Sequence, residues 1–273
     1  MSKQLREFIH RYPRLLVITG AGVSAESGIA TYRDRNAVWQ ASTPIQHQQF
    51  IDSIDVRQRY WARSFSGWPA VADALPNEAH FALRALESMG HVELLITQNV
   101  DRLHQLAGST NVVDLHGRLD RVVCLQCNAK SSRHLLQAQL GASNPELRQM
   151  CGVPRPDGDF ELRDTAAAQH VPKCADCGGI LMPDVVFFGG TVPSTRLKRC
   201  MTALEQADGV LVVGSSLQVY SGFRFCRRAV ESGIPLALVN QGRTRADDIA
   251  TLKIDAPCAQ VLTQTLSDPI TAG

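Results

Sequence analysis

TGAGVSAESGIATYRD, Thr19 to Asp34, decides the reading of this 273-residue chain. It follows an apolar run, Leu15 to Ile18, that reads as a buried parallel strand. Gly20, Ala21 and Gly22 let the backbone turn tightly, and the small Ser24, Ala25 and Ser27 are expected to open a helix. A strand, a small-residue turn and a helix N-terminus together make an anion site, because unpaired N–H groups and the helix dipole face the turn. Pyrophosphate suits such a site. The spacing is nevertheless G-x-G-x5-G, not G-x-G-x2-G, and no acidic residue follows at the usual ribose-binding distance. A tight strand-to-helix turn with no ligand is the competing reading.

The same grammar recurs along the chain. The strand Val92–Thr97 runs into Gln98, Asn99, Val100 and Asp101, and Val112–Leu115 delivers His116 and Gly117. Val210–Val213 ends in Gly214, Ser215 and Ser216, and Leu236–Val239 ends in Asn240, Gln241 and Gly242. Helices are expected between them, from Pro76 to Gly90, about Thr195 to Ala207, and Gly222 to Ser232. Apolar strand, polar turn, helix, repeated, predicts an α/β fold with a Rossmann-like, doubly wound parallel sheet and its polar turns along one edge. Of the eight histidines, His116 is the one placed at a strand's carboxyl end before a glycine, where a neutral imidazole can take a proton near pH 7. A hydrogen-bonded core histidine is its alternative reading, and the core reading is preferred for His104, beside Leu103 and Leu106.

Residues 118–182 interrupt the alternation. Cys124-x-x-Cys127 and Cys174-x-x-Cys177 present two thiolates on each of two knuckles, the four soft ligands of one tetrahedral Zn²⁺. Four protein ligands make the site closed, hence structural. Asn144 to Asp164, polar and Pro/Gly-rich, reads as a long loop, and Cys151, Cys200 and Cys226 read as core or loop residues. Between the first turn and Pro76 lie all three tryptophans, with Tyr60, Trp61, Phe65 and Trp68 at helical spacing. They read as a helix packed on a core, or as an aromatic lid over the ligand.

The expected organisation is therefore a Rossmann-like domain from 1–34, 76–117 and 188–273, with a smaller domain inserted: a helical part and cofactor loop at 35–75 and a zinc-binding part at 118–187. The hydrophobic share of 44% and charged share of 20% are ordinary for a globular enzyme. A net charge of +2 without a basic block gives no case for nucleic acid, and no apolar run approaches the ~20 residues that cross a bilayer. MSKQLREFIHRYP has no signal-peptide core and the fold begins at once, so a cytoplasmic protein is expected. Internal repeats and low-complexity tracts are absent, and no feature sets an oligomeric state.

The ordered set TGAGVSAESGI, TQNVDRLHQLAG, LHG, two C-x-x-C pairs, PDVVFFG and VVGSS resembles the sirtuin family over about residues 13 to 262. PIQHQQF, RQRYWARSFSGWP, DRVVCLQC and GSSLQVYSG look closest to its class II, whose animal members are mitochondrial. The resemblance implies an NAD-dependent protein-lysine deacylase acting on acyl-lysine proteins or peptides. The acyl oxygen attacks C1′ of the nicotinamide ribose and nicotinamide leaves. The matching histidine, His116, then acts as general base on a ribose hydroxyl, giving O-acyl-ADP-ribose and free lysine. NAD is consumed as a co-substrate, and one zinc is structural.

By the same resemblance, Gly20, Ala21, Gly22 and Ala25 match the phosphate loop, and Thr31, Tyr32 and Arg33 the flap over the nicotinamide ribose. Gln98, Asn99 and Asp101 match the family's Q-N-x-D, with Asn99 near the ribose and counted with His116 in the catalysis, and Asp101 on the carboxamide. Gly214, Ser215 and Ser216 match a diphosphate and ribose contact; Asn240 matches an adenosine-ribose contact, with Gln241 and Gly242 counted beside it as cofactor-binding, and Cys258 falls near the adenine. Val186 and Phe187 match the segment that pairs with the substrate backbone as an added strand. Ala30-Thr31 stands where the family usually has Pro-Asp or Pro-Thr, which implies a looser cofactor loop. Gly190 stands where many relatives carry an acid. The Tyr-x-x-Arg of desuccinylating members is missing around Trp39, where the chain reads AVWQAS, so a dedicated succinyl reader is not expected. Two further readings stay open: a protein mono-ADP-ribosyltransferase, in which a protein nucleophile captures the ribose, and a non-catalytic NAD-binding, zinc-stabilised interaction module.

Overall fold

A computed structural model of the chain describes residues 1–39, 44–150, 152–162, 168 and 170–267. Its first half runs α1 (Ser2–Arg11), β1 (Leu15–Thr19), α2 (His47–Asp52), α3 (Ile54–Ala72), α4 (Glu78–Ser88), β2 (Val92–Thr97), α5 (Leu103–Leu106) and β3 (Val112–Asp114). The middle holds β4 (Gly117–Cys124), β5 (Lys130–Ser132), α6 (Arg133–Ser143), β6 (Gly152–Arg155), β7 (Asp159–Leu162) and β8 (Leu181–Val185). The chain closes with α7 (Ser194–Gln206), β9 (Gly209–Val213), α8 (Tyr220–Glu231), β10 (Leu236–Val239), β11 (Leu252–Ile254) and α9 (Cys258–Leu266).

Six strands form one parallel sheet in the order β11-β10-β9-β1-β2-β3. Every residue of β1 is buried, which explains why its sequence is an unbroken apolar run instead of an alternation. Its side chains still divide by the pleat. Leu15 and Val17 pack with Leu5, Leu83, Leu86 and Val261 of α1, α4 and α9. Leu16 and Ile18 pack with Leu204, Phe225 and Ala229 of α7 and α8. Helices thus cover both faces, and the chain turns outward in opposite directions from β1, placing the switch point of the sheet between β1 and β9.

A second, antiparallel sheet, β5-β4-β8, packs with α3 and α6 around Phe50, Trp61, Val122, Leu136, Leu140 and Leu181. Pro69 lies inside α3 and removes the N–H that would bond the carbonyl of Phe65. The side-chain amide of Gln137 on α6 donates to that carbonyl instead, at 2.9 Å, so the kink-prone turn is tied to the neighbouring helix.

The stretch from Asn144 departs from the expected long loop. Pro145–Gln149 forms a short 3-10 turn, and β6 and β7 pair as an antiparallel hairpin turned by Pro156–Gly158, with Gly158 at φ +64. The glycine and prolines that signal a loop make the turn of a two-stranded ribbon. That ribbon lies close on α3, where a Cβ at Gly67 would sit 2.4 Å from the carbonyl oxygen of Gly158. Cys151 falls outside the described residues; Cys200 and Cys226 are fully buried in the core under α7 and α8.

Candidate functional site: the carboxyl edge of the parallel sheet

The first turn differs from its expected form. Two 3-10 turns, Ala21–Val23 and Ala25–Ser27, follow β1 where an α-helix is expected, and Gly28 at φ +83 ends them. The N–H groups are largely spent: Gly20 donates to Val213 O, Gly22 to Gly214 O at 2.8 Å, Val23 to Gly20 O and Ser24 to Ala21 O. The glycines serve contact between loops. A Cβ at Gly20 would lie 2.8 Å from the Ser215 side chain, one at Gly22 2.8 Å from Gly214 O, and one at Gly214, at φ +59, 2.4 Å from Val23 N. The turns after β1 and β9 are therefore interleaved along the switch point.

Behind this weave sits a polar network. Gln98 donates from its amide to Thr19 O and to Ser215 Oγ at 2.8 Å. Asn99, buried, donates to Gly20 O at 3.1 Å and Ser24 Oγ at 3.0 Å, and Ser24 donates onward to Asp101 at 2.7 Å. Asp101 also accepts the Leu103 N–H at 2.9 Å, and burial, ahead of these bonds, raises its pKa. Ser24, which the sequence marks only as a small residue, is the hydroxyl that joins the Q-N-x-D segment to the first loop.

His116 is half-buried, and its protonation is set by its neighbours. The Gln98 backbone oxygen can only accept, so Nδ1, 3.0 Å away, carries the hydrogen. Nε2 then holds the lone pair and accepts from the Ser221 hydroxyl at 2.7 Å. Burial pushes the pKa of the imidazole down to about 4; the bond to Gln98 opposes this and the charge of Arg196 adds to it. The ring is neutral at pH 7 with a lone pair aimed at Ser221, the protonation state a general base needs, while burial makes it a weaker base than a free imidazole.

Most of these groups face one cavity of about 670 Å³. Of the sequence-derived residues, Gly20, Ala21, Gly22, Ala25, Thr31, Tyr32, Arg33, Gln98, Asn99, His116, Val186, Phe187, Gly214, Ser215, Ser216, Asn240, Gln241 and Cys258 line it; Asp101 and Gly242 do not. Asp101 is held behind the wall by Ser24. Gly242 acts on the flap instead: a Cβ there would lie 1.9 Å from Arg35 O, and the next residue, Arg243, donates its N–H to that oxygen. The residues from Thr31 to Trp39 make a small hairpin, with Arg33 bridged to Trp39, the Asp34 carboxylate accepting from Asn36 and Val38, and Tyr32 stacked on Trp39 at 5.1 Å. These contacts anchor the segment where Ala30-Thr31 had suggested a looser loop. Cys258 sits at the N-terminus of α9 with its thiol toward Val239 O, and burial raises its pKa to about 12.

The cavity wall also holds residues the sequence reading passed over: Ser221, Arg224, Leu119, Phe188, Pro156 and Asp159. Pro156 and Asp159 come from the β6–β7 ribbon, which extends the wall from the small sheet's side. The aromatic segment divides. Trp61 and Trp68 are buried core, whereas Tyr60 and Trp39 line the cavity. A Tyr-x-x-Arg does occur, at Tyr60-Trp61-Ala62-Arg63 on α3, one segment later than Trp39. Arg63 forms a bidentate ion pair with Asp159, so its charge is already matched by a carboxylate. At Val186 and Phe187, the Val186 N–H donates to His116 O at 2.7 Å and Phe187 O accepts from Gly190, so two backbone groups of that segment are engaged internally.

The dinucleotide fits this cavity on two observations. Gly20, Gly22 and Gly214 bring the bare backbone of two turns to the cavity wall, and Arg224 Nε is buried there with no hydrogen-bond partner. A cation with an unused donor suits a phosphate or ribose oxygen.

The four paired cysteines come together away from the cavity. Their Sγ atoms lie within 4.8 Å of one another, with Cys124–Cys177 at 3.5 Å and Cys127–Cys174 at 3.7 Å. Zn–S bonds of about 2.3 Å in a tetrahedron put sulfurs roughly 3.8 Å apart, so the set fits one zinc ion. The knuckles match residue for residue: Asn128 at φ 60 and Gly178 at φ 71 follow the second cysteine of each, and their N–H groups donate to Cys124 O and Cys174 O. Gly179 is required by contact, since a Cβ there would lie 2.8 Å from Cys124 Sγ. The Cys127 N–H, ahead of burial, which opposes it, holds the Cys124 thiol down to about 6, in keeping with a thiolate ligand.

Residues 20–221 match the Sir2 family. The NAD-dependent protein deacetylase of Xanthomonas campestris pv. campestris (strain 8004) is 51% identical over 269 residues, covering 97% of this chain and 92% of that one. The human NAD-dependent protein lipoamidase sirtuin-4, mitochondrial, is 46% identical over 271 residues, covering 98% and 86%. Among solved structures, a Sir2–p53 peptide–NAD+ complex superposes with a TM-score of 0.79 at 29% identity over 97% of both chains. A Sir2 enzyme bound to a propionylated peptide gives 0.76 at 30%, over 97% and 96%.

Proposed function

This chain belongs to the Sir2 family, and from that premise we propose that it is an NAD-dependent protein-lysine deacylase with His116 as general base. The observation that carries the assignment is the His116 tautomer, fixed by Gln98 with the Nε2 lone pair inside the cavity that Gly20–Gly22 and Gly214–Ser216 floor. NAD lies with its pyrophosphate along the β1–β9 weave, its adenosine toward Asn240 and Cys258, and its nicotinamide ribose between Asn99, the Tyr32–Arg33 flap and His116. The acyl-lysine enters beside Val186 and Phe187. Its carbonyl oxygen attacks C1′, nicotinamide departs, and His116 then takes the proton of a ribose hydroxyl so that this oxygen can attack the imidate carbon.

Zinc, when bound by Cys124, Cys127, Cys174 and Cys177, supplies folding energy to the β5-β4-β8 sheet and no chemistry at the cavity, since none of its ligands lines that cavity. The inserted small domain at 35–75 and 118–187 is read as the unit that closes over NAD. Because NAD is a metabolite of the cell interior and the Xanthomonas relative is bacterial, a cytoplasmic location completes the reading. Among the described residues no helix is long and apolar enough to cross a membrane.

The test is incubation with NAD and a panel of acyl-lysine peptides, with mass detection of O-acyl-ADP-ribose. Absence of that product for every chain from acetyl to lipoyl and methylglutaryl overturns the assignment. Label from NAD that stays on protein at defined sites, and is lost in His116→Ala, points instead to ADP-ribosyl transfer.

A further inference from the structure

Nε2 of His116 has one in-plane lone pair, and the Ser221 hydroxyl already occupies it at 2.7 Å. A ribose hydroxyl cannot hydrogen-bond to the same lone pair while that contact stands. Serine can serve both partners at once: its oxygen accepts from one hydroxyl while its own hydrogen points at the imidazole. The approach that places Ser221 is built into the fold. Ser221 lies in the first turn of α8, and a Cβ on the next residue, Gly222, would fall 2.5 Å from Gln98 Oε1. A side chain there would have to displace the Gln98 amide from Thr19 O and Ser215 Oγ, so glycine lets α8 come down onto the Gln98–His116 edge with those bonds intact. Ser221 and His116 both line the cavity together with Asn99 and Gly20.

We propose that Ser221 is a catalytic residue of this site, relaying the ribose proton to His116. The inference rests on the deacylase reading given above. The ribose O–H bond breaks with its electron pair remaining on oxygen, which bonds to the imidate carbon as the C=N π pair moves onto the lysine nitrogen. Ser221 Oγ takes that proton and passes its own hydrogen to the Nε2 lone pair. The serine ends neutral as it began, and the imidazolium holds the proton with its Nδ1–H still donated to Gln98 O. No other reactant is needed.

Two rates separate this role from a structural one. Exchange of labelled nicotinamide into NAD in the presence of acyl-peptide reports nicotinamide loss and return, which requires no base. O-acyl-ADP-ribose formation reports the step that does. In Ser221→Ala, product formation is expected to fall by about tenfold, less than the roughly 100-fold or more that a positioned proton carrier supplies, because direct transfer to His116 remains as a bypass. Exchange stays within about twofold of the unsubstituted enzyme, which also certifies folding and NAD binding. Ser221→Thr, which keeps a hydroxyl, recovers product formation. Full product formation in Ser221→Ala overturns the relay, showing that the serine merely swings aside. A parallel fall in both rates overturns it too, because the role is then positional. If the unsubstituted chain exchanges no nicotinamide and forms no product from any acyl-peptide, it is the deacylase reading that has failed, not the relay.

Discussion

Acidification is expected to unfold this protein through a buried histidine next to the cofactor loop. His80 is fully buried, its ring 4.8 Å from that of His104, and burial lowers its pKa to about 4. His104, hydrogen-bonded to Thr19 at the end of β1, is pushed well below the usual value by burial and then by His80. Both are neutral in the folded chain and ordinary in the unfolded one, so the unfolded state takes up protons first as pH falls. Their contribution is lost progressively as pH falls below about 6.5, and the share of His80 bottoms out near pH 4. For His80 alone the difference between 6.5 and about 4 costs about 2 kcal/mol at pH 5 and about 3 kcal/mol at pH 4.

His80→Gln removes this titration and the smaller push of His80 on His104. His80 is the third residue of α4, where its Nδ1 accepts the Asn77 N–H at 3.2 Å in a capping box. Glutamine is a preferred residue at that position, so the variant keeps the cap and loses the titration. Urea unfolding of the zinc-loaded proteins at pH 7 and pH 5 is the assay. The unsubstituted chain should lose about 2 kcal/mol more than the variant between the two pH values. Protonation of the zinc thiolates also weakens the fold in acid, but it is common to both proteins and cancels in the comparison. Equal losses in the two proteins would refute the reasoning. The consequence reaches the site, because Asn77 donates to Val23 O and Ser27 Oγ and so ties α4 to the loop after β1.

Stripping the metal with a chelator should release about one zinc per chain and unfold the β5-β4-β8 sheet, read as lost hydrogen-exchange protection of β4 while β1 and β9 stay protected; unchanged protection of β4 would contradict a structural role. Gly214→Ala should cost about 1–3 kcal/mol from the left-handed backbone alone and raise the KM for NAD, since its Cβ would push Val23 off the weave; calorimetric NAD binding at the original affinity counts against it. Asp159 lines the cavity, so Asp159→Asn removes a negative charge from its wall; turnover of succinyl-lysine relative to acetyl-lysine peptide should rise by about tenfold as like-charge repulsion is relieved, and an unchanged ratio would separate the ribbon from the acyl chain.

The parts of the molecule legible in the sequence are those where one residue's chemistry suffices. Strand runs such as Val92–Thr97 and Leu236–Val239 fall at their expected bounds because a strand covered on both faces is mostly apolar along its length. The cysteine knuckles are legible because soft ligands at that spacing have few other uses. Contacts between distant turns are not. The glycines after β1 read as an anion cradle opening a helix, yet their use is to admit Gly214 and Ser215, nearly 200 residues later. Ser221 falls one residue inside a helix whose expected start was Gly222, so nothing local marked it. Asp159 sat in a stretch read as loop because a two-stranded ribbon built on a Pro-Asp-Gly turn has the composition of one.

These misses share a cause that bears on how the site works. The rigid half of the cavity is assembled from turns that lock one another: Gly22 to Gly214, Gln98 to Ser215, Asn99 to Ser24. The other half is the Thr31–Trp39 hairpin and the β6–β7 ribbon, held by aromatic stacking and ion pairs at the protein's margin. Pyrophosphate and adenosine would meet the first half, nicotinamide and acyl chain the second. Substitutions in the weave should therefore act on NAD affinity for every substrate alike, whereas substitutions in the hairpin or ribbon should change the ranking of acyl chains with NAD affinity intact. A ribbon variant such as Asp159→Asn that altered NAD binding as strongly as Gly214→Ala would show that the two halves are one unit, and the division would be wrong.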